Sequence, residues 1–136
     1  MDYNHGTGHG VGYVLNVHEG PNSFHWKQYP GRTAERVIEE GMVTTDEPGI
    51  YLEGKFGIRT ENELICRKGE KNEYGQFMYF ENLTYVPIDL DVIDPNQMTD
   101  REKGYLNAYH ARVYELVSPF LNDEEAQWLK KYTRAI

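Results

Sequence analysis

Three histidines, His5, His9 and His18, fall within one stretch of fourteen residues. They sit in His5-Gly6-Thr7-Gly8-His9-Gly10-Val11-Gly12 and Asn16-Val17-His18-Glu19-Gly20-Pro21. Imidazole is the commonest nitrogen ligand for transition metals and the side chain best suited to proton transfer near neutral pH. His5 and His9 are four apart, a spacing that pairs two ligands on one face of a helix, but the glycines between them defeat a helix. No glutamate follows His5, so the helical zinc motif is absent. In a turn feeding a strand, one imidazole can project into a cleft while the other flanks it. By itself His9 reads equally as a ligand or as a hydrogen-bonded structural histidine; the glycine context favours the ligand. His25 and His110 lack such surroundings and read as structural or surface residues.

Two further blocks place carboxylates beside turns and strands: Thr45-Asp46-Glu47-Pro48-Gly49 and Gly57-Ile58-Arg59-Thr60-Glu61-Asn62. Pro48 pushes the Glu47 backbone toward extended geometry and fixes its side chain at a strand end. The plainer alternative for Glu47 is a solvated turn carboxylate. Arg59 and Glu61 share one face of their strand. Two readings of that pair stand side by side: a surface ion pair worth less than ~1 kcal/mol, or an arginine orienting a ligating carboxylate. One imidazole with two carboxylates suits Mn²⁺, Fe²⁺, Co²⁺ or Zn²⁺. Cys66, the single cysteine, adds no softer ligand set.

These residues need a scaffold, and the pattern supplies mostly strands. Residues 11–17 read as a strand leaving the glycine-rich turn, with Tyr13, Leu15 and Val17 on one side and Val14 on the other. Gly20-Pro21-Asn22 ends it. Residues 24–31 read as a loop and 33–40 as one or two helical turns. A short β-type run at 42–45 stops at Pro48-Gly49. Runs at 50–52 and 56–66 flank Glu53-Gly54-Lys55, a connection of hairpin length. Two more strands are expected at 76–80 and 83–86. The last third changes character. Thr99-Asp100-Arg101-Glu102 is a capping box, after which Leu106, Tyr109, Val113 and Leu116 recur at helical spacing until Pro119. Asn122-Asp123-Glu124-Glu125 opens a second helix, with its acids at the positive end of the helix dipole. Ala126, Leu129 and Tyr132 form its apolar side. The expectation is α+β: a curved antiparallel sheet over 1–98 and C-terminal helices over 99–136.

The chain has 136 residues and a net charge of −8, enough length for one domain with its own core. That charge repels nucleic acid and anionic membranes, so neither is expected as a partner. A single cysteine excludes an internal disulfide and suits a reducing compartment. With no long apolar run and no signal-like start, the expected location is the cytoplasm.

At these residues the chain resembles the aminopeptidase P (Xaa-Pro aminopeptidase) branch of the pita-bread metallopeptidases. The segments that carry the likeness are HGTGHGVG, LNVHEGP, VTTDEPGIYLEGKFGIRTEN and FENLTYVPID, followed by the TDRE…YLNAYH and WL…T helices. The resemblance implies half of a pita-bread fold and hydrolysis of the bond between an N-terminal residue and a following proline. It implies, as nucleophile, a hydroxide generated at two divalent metals, usually manganese. It implies His9 and Glu47 as ligands of one metal, with Glu47 also handling the proton, and Glu61 bridging both metals. His18 would stabilise the developing oxyanion, His5 would line the substrate pocket, and Arg59 would support Glu61. The family needs five ligands, two of them aspartates on an earlier hairpin, and Asp46, Asp89, Asp91 and Asp94 do not fill that pattern. Ile50 and Thr60 stand where Tyr and Ile are expected. The 136 residues therefore read as the C-terminal half of a catalytic domain, able to hold at most one metal weakly and inactive or nearly so alone. Uncovered apolar sheet surface would invite self-association into a homo-oligomer. From a different class, the alternative is a non-catalytic interaction module; retention of His9, Glu47 and Glu61 counts against it.

Overall fold

Strands dominate the first part of the chain and helices the last, in a computed structural model that describes residues 4–14, 16–27 and 37–136. Two units separate, Met1–Thr84 and Tyr85–Ile136. The first contains seven strands among its described residues: β1 (Gly8–His9), β2 (Ser23–Phe24), β3 (Val43–Asp46), β4 (Gly49–Leu52), β5 (Phe56–Arg59), β6 (Asn62–Asn72) and β7 (Gly75–Asn82). They pair antiparallel in three small sheets, ordered β1-β2, β3-β6-β7 and β4-β5.

Two of these sheets share a single ribbon. Asp46 pairs with Asn62 and Gly49 with Arg59, so the same register runs from β3–β6 into β4–β5. The interruption lies at Glu47-Pro48 opposite Thr60-Glu61. Pro48 has no amide hydrogen to give the ladder and restricts the residue before it, which is a sufficient cause. One bond still crosses the gap, from Thr60 N to Pro48 O at 3.3 Å. At the far end of the ribbon Gly54 takes a φ of +69°, a left-handed corner that glycine adopts without strain. The expected hairpin through Glu53-Gly54-Lys55 is present.

The glycine-rich start does not continue as the strand expected at 11–17. The strand is β1, extended by one bridge from Gly10 to Thr44. Beyond it the backbone turns back on itself: Gly10 N donates to Asn22 O, Gly12 N to Asn16 O, and Glu19 N to Gly10 O, each at 2.9 Å. Small residues let this loop satisfy its own polar groups, which a straight strand would have left for a neighbour. Leu15 lies outside the described residues. So does the first half of the helical stretch expected at 33–40, and residues 37–40 are not helical. Residues 83–86 form no strand; pairing ends with Leu83 N donating to Glu63 O at 2.8 Å.

Thr44, Thr45 and Cys66 are buried in this unit, while Phe77, Met78, Tyr79 and Phe80 of β7 and Ile50, Phe56 and Ile58 of the hairpin are exposed. Much of its apolar sheet surface faces solvent.

In the second unit the helices start where the sequence places them. Thr99 and Glu102 form a reciprocal capping box on α1 (Asp100–Val117), and Asn122 and Glu125 form another on α2 (Asp123–Tyr132). Pro119 sits in the 3-10 turn Ser118–Phe120 that ends α1. Val113, Leu129, Leu90 and His110 are buried. His110 accepts a hydrogen bond at Nε2 from Ile88 N, 3.0 Å away, so its ring proton sits on Nδ1, which is buried and has no partner. Burial first, then the nearby Arg134 guanidinium, holds its pKa below the usual imidazole value.

Candidate metal centre and pocket

His9 comes from β1, and three bonds tie it to β3 and its own loop. Its amide donates to Thr45 Oγ1 at 3.0 Å, its carbonyl accepts from Thr44 Oγ1 at 3.1 Å, and its Nδ1 lies 3.0 Å from Gly10 O. A carbonyl oxygen only accepts, so Nδ1 carries the proton in that contact and Nε2 keeps its lone pair in the neutral ring. Nε2 then faces Glu47 Oε1 at 3.0 Å. Two acceptors at that separation need a cation, a proton or a metal, to satisfy both. Ligand bonds of about 2.0–2.2 Å put neighbouring ligands of one ion about 3 Å apart, so the pair fits a shared divalent metal.

Gly8 makes the close approach possible. A Cβ there would run into the Thr45 carbonyl oxygen and the Phe24 ring. Thr45 in turn donates from Oγ1 to Glu47 Oε1 at 2.9 Å, fixing the carboxylate whose side chain is only 12% exposed.

Glu61 stands opposite Glu47 across the interrupted ribbon. Arg59 occupies the space that would otherwise hold two repelling carboxylates: its Nε lies 3.0 Å from Glu61 Oε2 and 4.0 Å from Glu47 Oε2. Arg59 Nη1 also donates to the Tyr51 hydroxyl at 3.2 Å. Tyr51 first, then Glu61, holds the guanidinium pKa above its usual value. His9 and Glu47 thus converge, whereas Glu61 is engaged by Arg59. Among the described residues no three His, Cys, Asp or Glu side chains form a metal-binding group.

The remaining histidines surround the same space. His5 donates from Nε2 to the Glu47 carbonyl at 2.9 Å and meets the Tyr51 ring edge-on at 5.0 Å. The His18 ring lies 4.2 Å from that of His9, brought there by the folded loop. A cavity of about 620 Å³ opens among His5, His9, His18, Trp26, Lys27 and Glu47, within the usual size of small-ligand sites. His25, read from the sequence as a structural or surface residue, belongs to its lining as well, with Nδ1 3.1 Å from Ser23 Oγ. Thr45 and Tyr51 were not singled out either. Alternation could have found both, since Thr45 lies two residues from Glu47 and Tyr51 faces Gly57 across the hairpin.

The sequence profile of metallopeptidase family M24 matches residues 1–68, and that of the C-terminal region of peptidase M24 matches residues 76–136. Aminopeptidase P1 of Arabidopsis thaliana is 40% identical over the whole of this chain, which covers 21% of that relative. Aminopeptidase P2 of the same plant is 45% identical with 19% covered. A probable Xaa-Pro aminopeptidase P of Coprinopsis cinerea is 43% identical with 22% covered. The chain therefore spans about a fifth of the length of the curated relatives it matches. The crystal structure of X-prolyl aminopeptidase from Caenorhabditis elegans, described as a cytosolic enzyme with a di-nuclear active site, superimposes with a TM-score of 0.83 at 36% identity. It is matched over all of this chain and 22% of its own. An imidazole facing a carboxylate at 3.0 Å, a second carboxylate opposite, and a profile matched over residues 1–68 all lead to one assignment: the chain belongs to metallopeptidase family M24.

Proposed function

We propose that this chain forms part of the catalytic centre of an Xaa-Pro aminopeptidase, contributing His9, Glu47 and Glu61 as ligands of divalent metal. The substrates are peptides with proline at the second position. The observation that carries the reading is the confrontation of His9 Nε2 with Glu47 Oε1 at 3.0 Å, with Nδ1 already committed to the Gly10 carbonyl. Two divalent ions, manganese in this reading, supply Lewis acidity and an acidified water when bound. The three donors of this chain fall short of the set two ions need, so the 136 residues alone hold at most one ion, weakly, and turn over little or no substrate.

Each residue then has a task. Glu47, mostly shielded and anchored by Thr45, takes the proton released by the attacking water and returns it to the proline nitrogen as the bond breaks. His18, on the exposed side of His9, donates to the oxygen of the scissile carbonyl as charge develops there. His5 lines the pocket for the proline ring, and Arg59 orients Glu61. The reading places the protein in the cytoplasm, with neither nucleic acid nor membrane as partner, and assigns the exposed apolar sheet surface to self-association. A purely binding module would have no use for two acceptors held against each other at the edge of a cavity.

A chimera tests the reading: this chain replaces the matching fifth of Arabidopsis aminopeptidase P1. The expected chimera releases arginine from Arg-Pro-Pro with added Mn²⁺, leaves Arg-Ala-Pro intact, and loses turnover on Glu47→Gln. A folded chimera without proline-dependent hydrolysis overturns the proposal.

A further inference from the structure

The lip of the cavity carries groups that the reaction does not use. Lys27 is the one lysine or arginine among the described residues lining it, and Glu47 the one carboxylate, in a chain of net charge −8. The Lys27 ammonium lies 4.5 Å from the centroid of the Trp26 ring, a distance at which the aromatic face holds a cation. Trp26 itself is 58% exposed.

Strand pairing leads into this lip. His9 stands opposite Ser23 and Gly8 opposite Phe24, and Thr7 N donates to Phe24 O at 2.8 Å. Pairing ends there, and the chain then bends at Trp26 and Lys27, which line the cavity together with His5. Phe24 is braced from behind by the Phe80 ring, edge-on at 6.1 Å, and it fills the space that Gly8 leaves. This inference rests on the proposed function: with the scissile bond at His9 and Glu47 and the proline ring at His5, the next substrate residue lies about 3.5 Å further along an extended chain. Trp26 and Lys27 line the cavity that holds His5, His9 and Glu47.

We infer that Trp26 and Lys27 form a subsite for a carboxylate on the residue following the proline, with the Trp26 ring holding the Lys27 ammonium in place. That carboxylate is either an acidic side chain or the C-terminus of a tripeptide. An exposed charge pair of this kind is worth roughly a three- to five-fold gain in affinity, and it shrinks with added salt.

The test reads Trp26 fluorescence of the whole chain in a Trp128→Phe background, which leaves a single tryptophan. The probes are Ala-Pro-Gln-amide, Ala-Pro-Glu-amide and Ala-Pro-Gln with a free C-terminus. The expected result is roughly three- to five-fold tighter binding of at least one acidic probe than of the neutral amide. The probe that gains identifies which carboxylate is read. Lys27→Gln should abolish the preference and Lys27→Arg should keep it. Equal binding of all three probes, or a preference that survives Lys27→Gln, overturns the subsite while leaving the peptidase reading intact. If Ala-Pro-Gln-amide binds no better than Ala-Ala-Gln-amide, the reading of the pocket fails and the subsite falls with it.

Discussion

Replacing Glu47 by glutamine separates metal ligation from the other work of this side chain. The amide keeps the shape and still accepts from Thr45 Oγ1, 2.9 Å from Oε1, so the pairing of β3 stays in place. What disappears is one negative charge facing His9 Nε2 at 3.0 Å. Losing a group that merely orients a ligand costs ten- to a hundred-fold in metal affinity. Loss of the ligand itself should therefore exceed a hundred-fold, about 2.8 kcal/mol. A distant charge does far less. One unit charge a Debye length (about 8 Å) from a divalent ion contributes about 1 kcal/mol in water, and screening cuts that to about a third, less than two-fold. Asp46→Asn provides that control, because Asp46 is exposed at the end of β3, one residue away. The assay is calorimetric titration of the chain with Mn²⁺, with thermal melts of each metal-free variant alongside. The expected order is an unaltered chain with one weak site, Asp46→Asn within two-fold of it, and Glu47→Gln below detection with an unchanged melting temperature. Equal losses in the two variants would reduce Glu47 to a long-range charge. No Mn²⁺ binding by the unaltered chain at millimolar concentration would refute the single weak site expected of it.

Gly8→Ala pushes a methyl group into the Thr45 carbonyl and the Phe24 ring; backbone cannot swing aside, so overpacking should cost about 1–3 kcal/mol. A melting temperature lower by at least about 4 °C is expected, and an unchanged melt would show that β1 and β3 are not packed this closely. His110 makes stability depend on pH. Burial holds its pKa below the ordinary value near 6.5, so the unfolded chain takes up the proton first as pH falls. Its contribution is complete above about pH 6.5 and declines on acidification by no more than about 1.4 kcal/mol per pH unit. Melts at pH 7.5 and 5.5 should differ more for the unaltered chain than for His110→Leu, and equal differences would exclude His110 as the source.

The helical end of the chain was legible because its signals are local. A threonine and a glutamate three residues apart close on each other's backbone whatever the rest of the protein does, and the same holds for Asn122 and Glu125. The expected stripe of Leu106, Tyr109, Val113 and Leu116 faces inward or half inward. His110, read from the sequence as a structural or surface residue, is structural: it is buried and accepts from an amide 22 residues earlier, a partner that no periodicity encodes. The strand expected at 11–17 failed for a related reason. Alternating apolar residues describe a strand only if a neighbour receives its backbone groups, and here Gly10 and Gly12 pair within their own loop. That loop carries His18 to His9, so the misread segment is the one that builds the cavity wall.

The site was legible to the extent that a hairpin is arithmetic. Once Glu53-Gly54-Lys55 is the corner, Glu47 and Glu61 must come opposite each other, and any register slip by one residue would send one of them to the wrong face. The sequence does not show what stands between them. A proline breaks the ladder at that level, and the backbone leaves room that side chains fill: Arg59 bridging the carboxylates, Tyr51 bracing Arg59 from one side and touching His5 on the other. Arg59 presented two open readings as a sequence, surface pair or support for a ligand. Both readings stay open in the structure: Arg59 pairs with Glu61 at 3.0 Å and also lies 4.0 Å from Glu47. In the proposed reading, metal and guanidinium would compete for the same two acids. On that reading, the strength with which Arg59 holds Glu61 would set how readily the second carboxylate turns toward an ion held by His9 and Glu47.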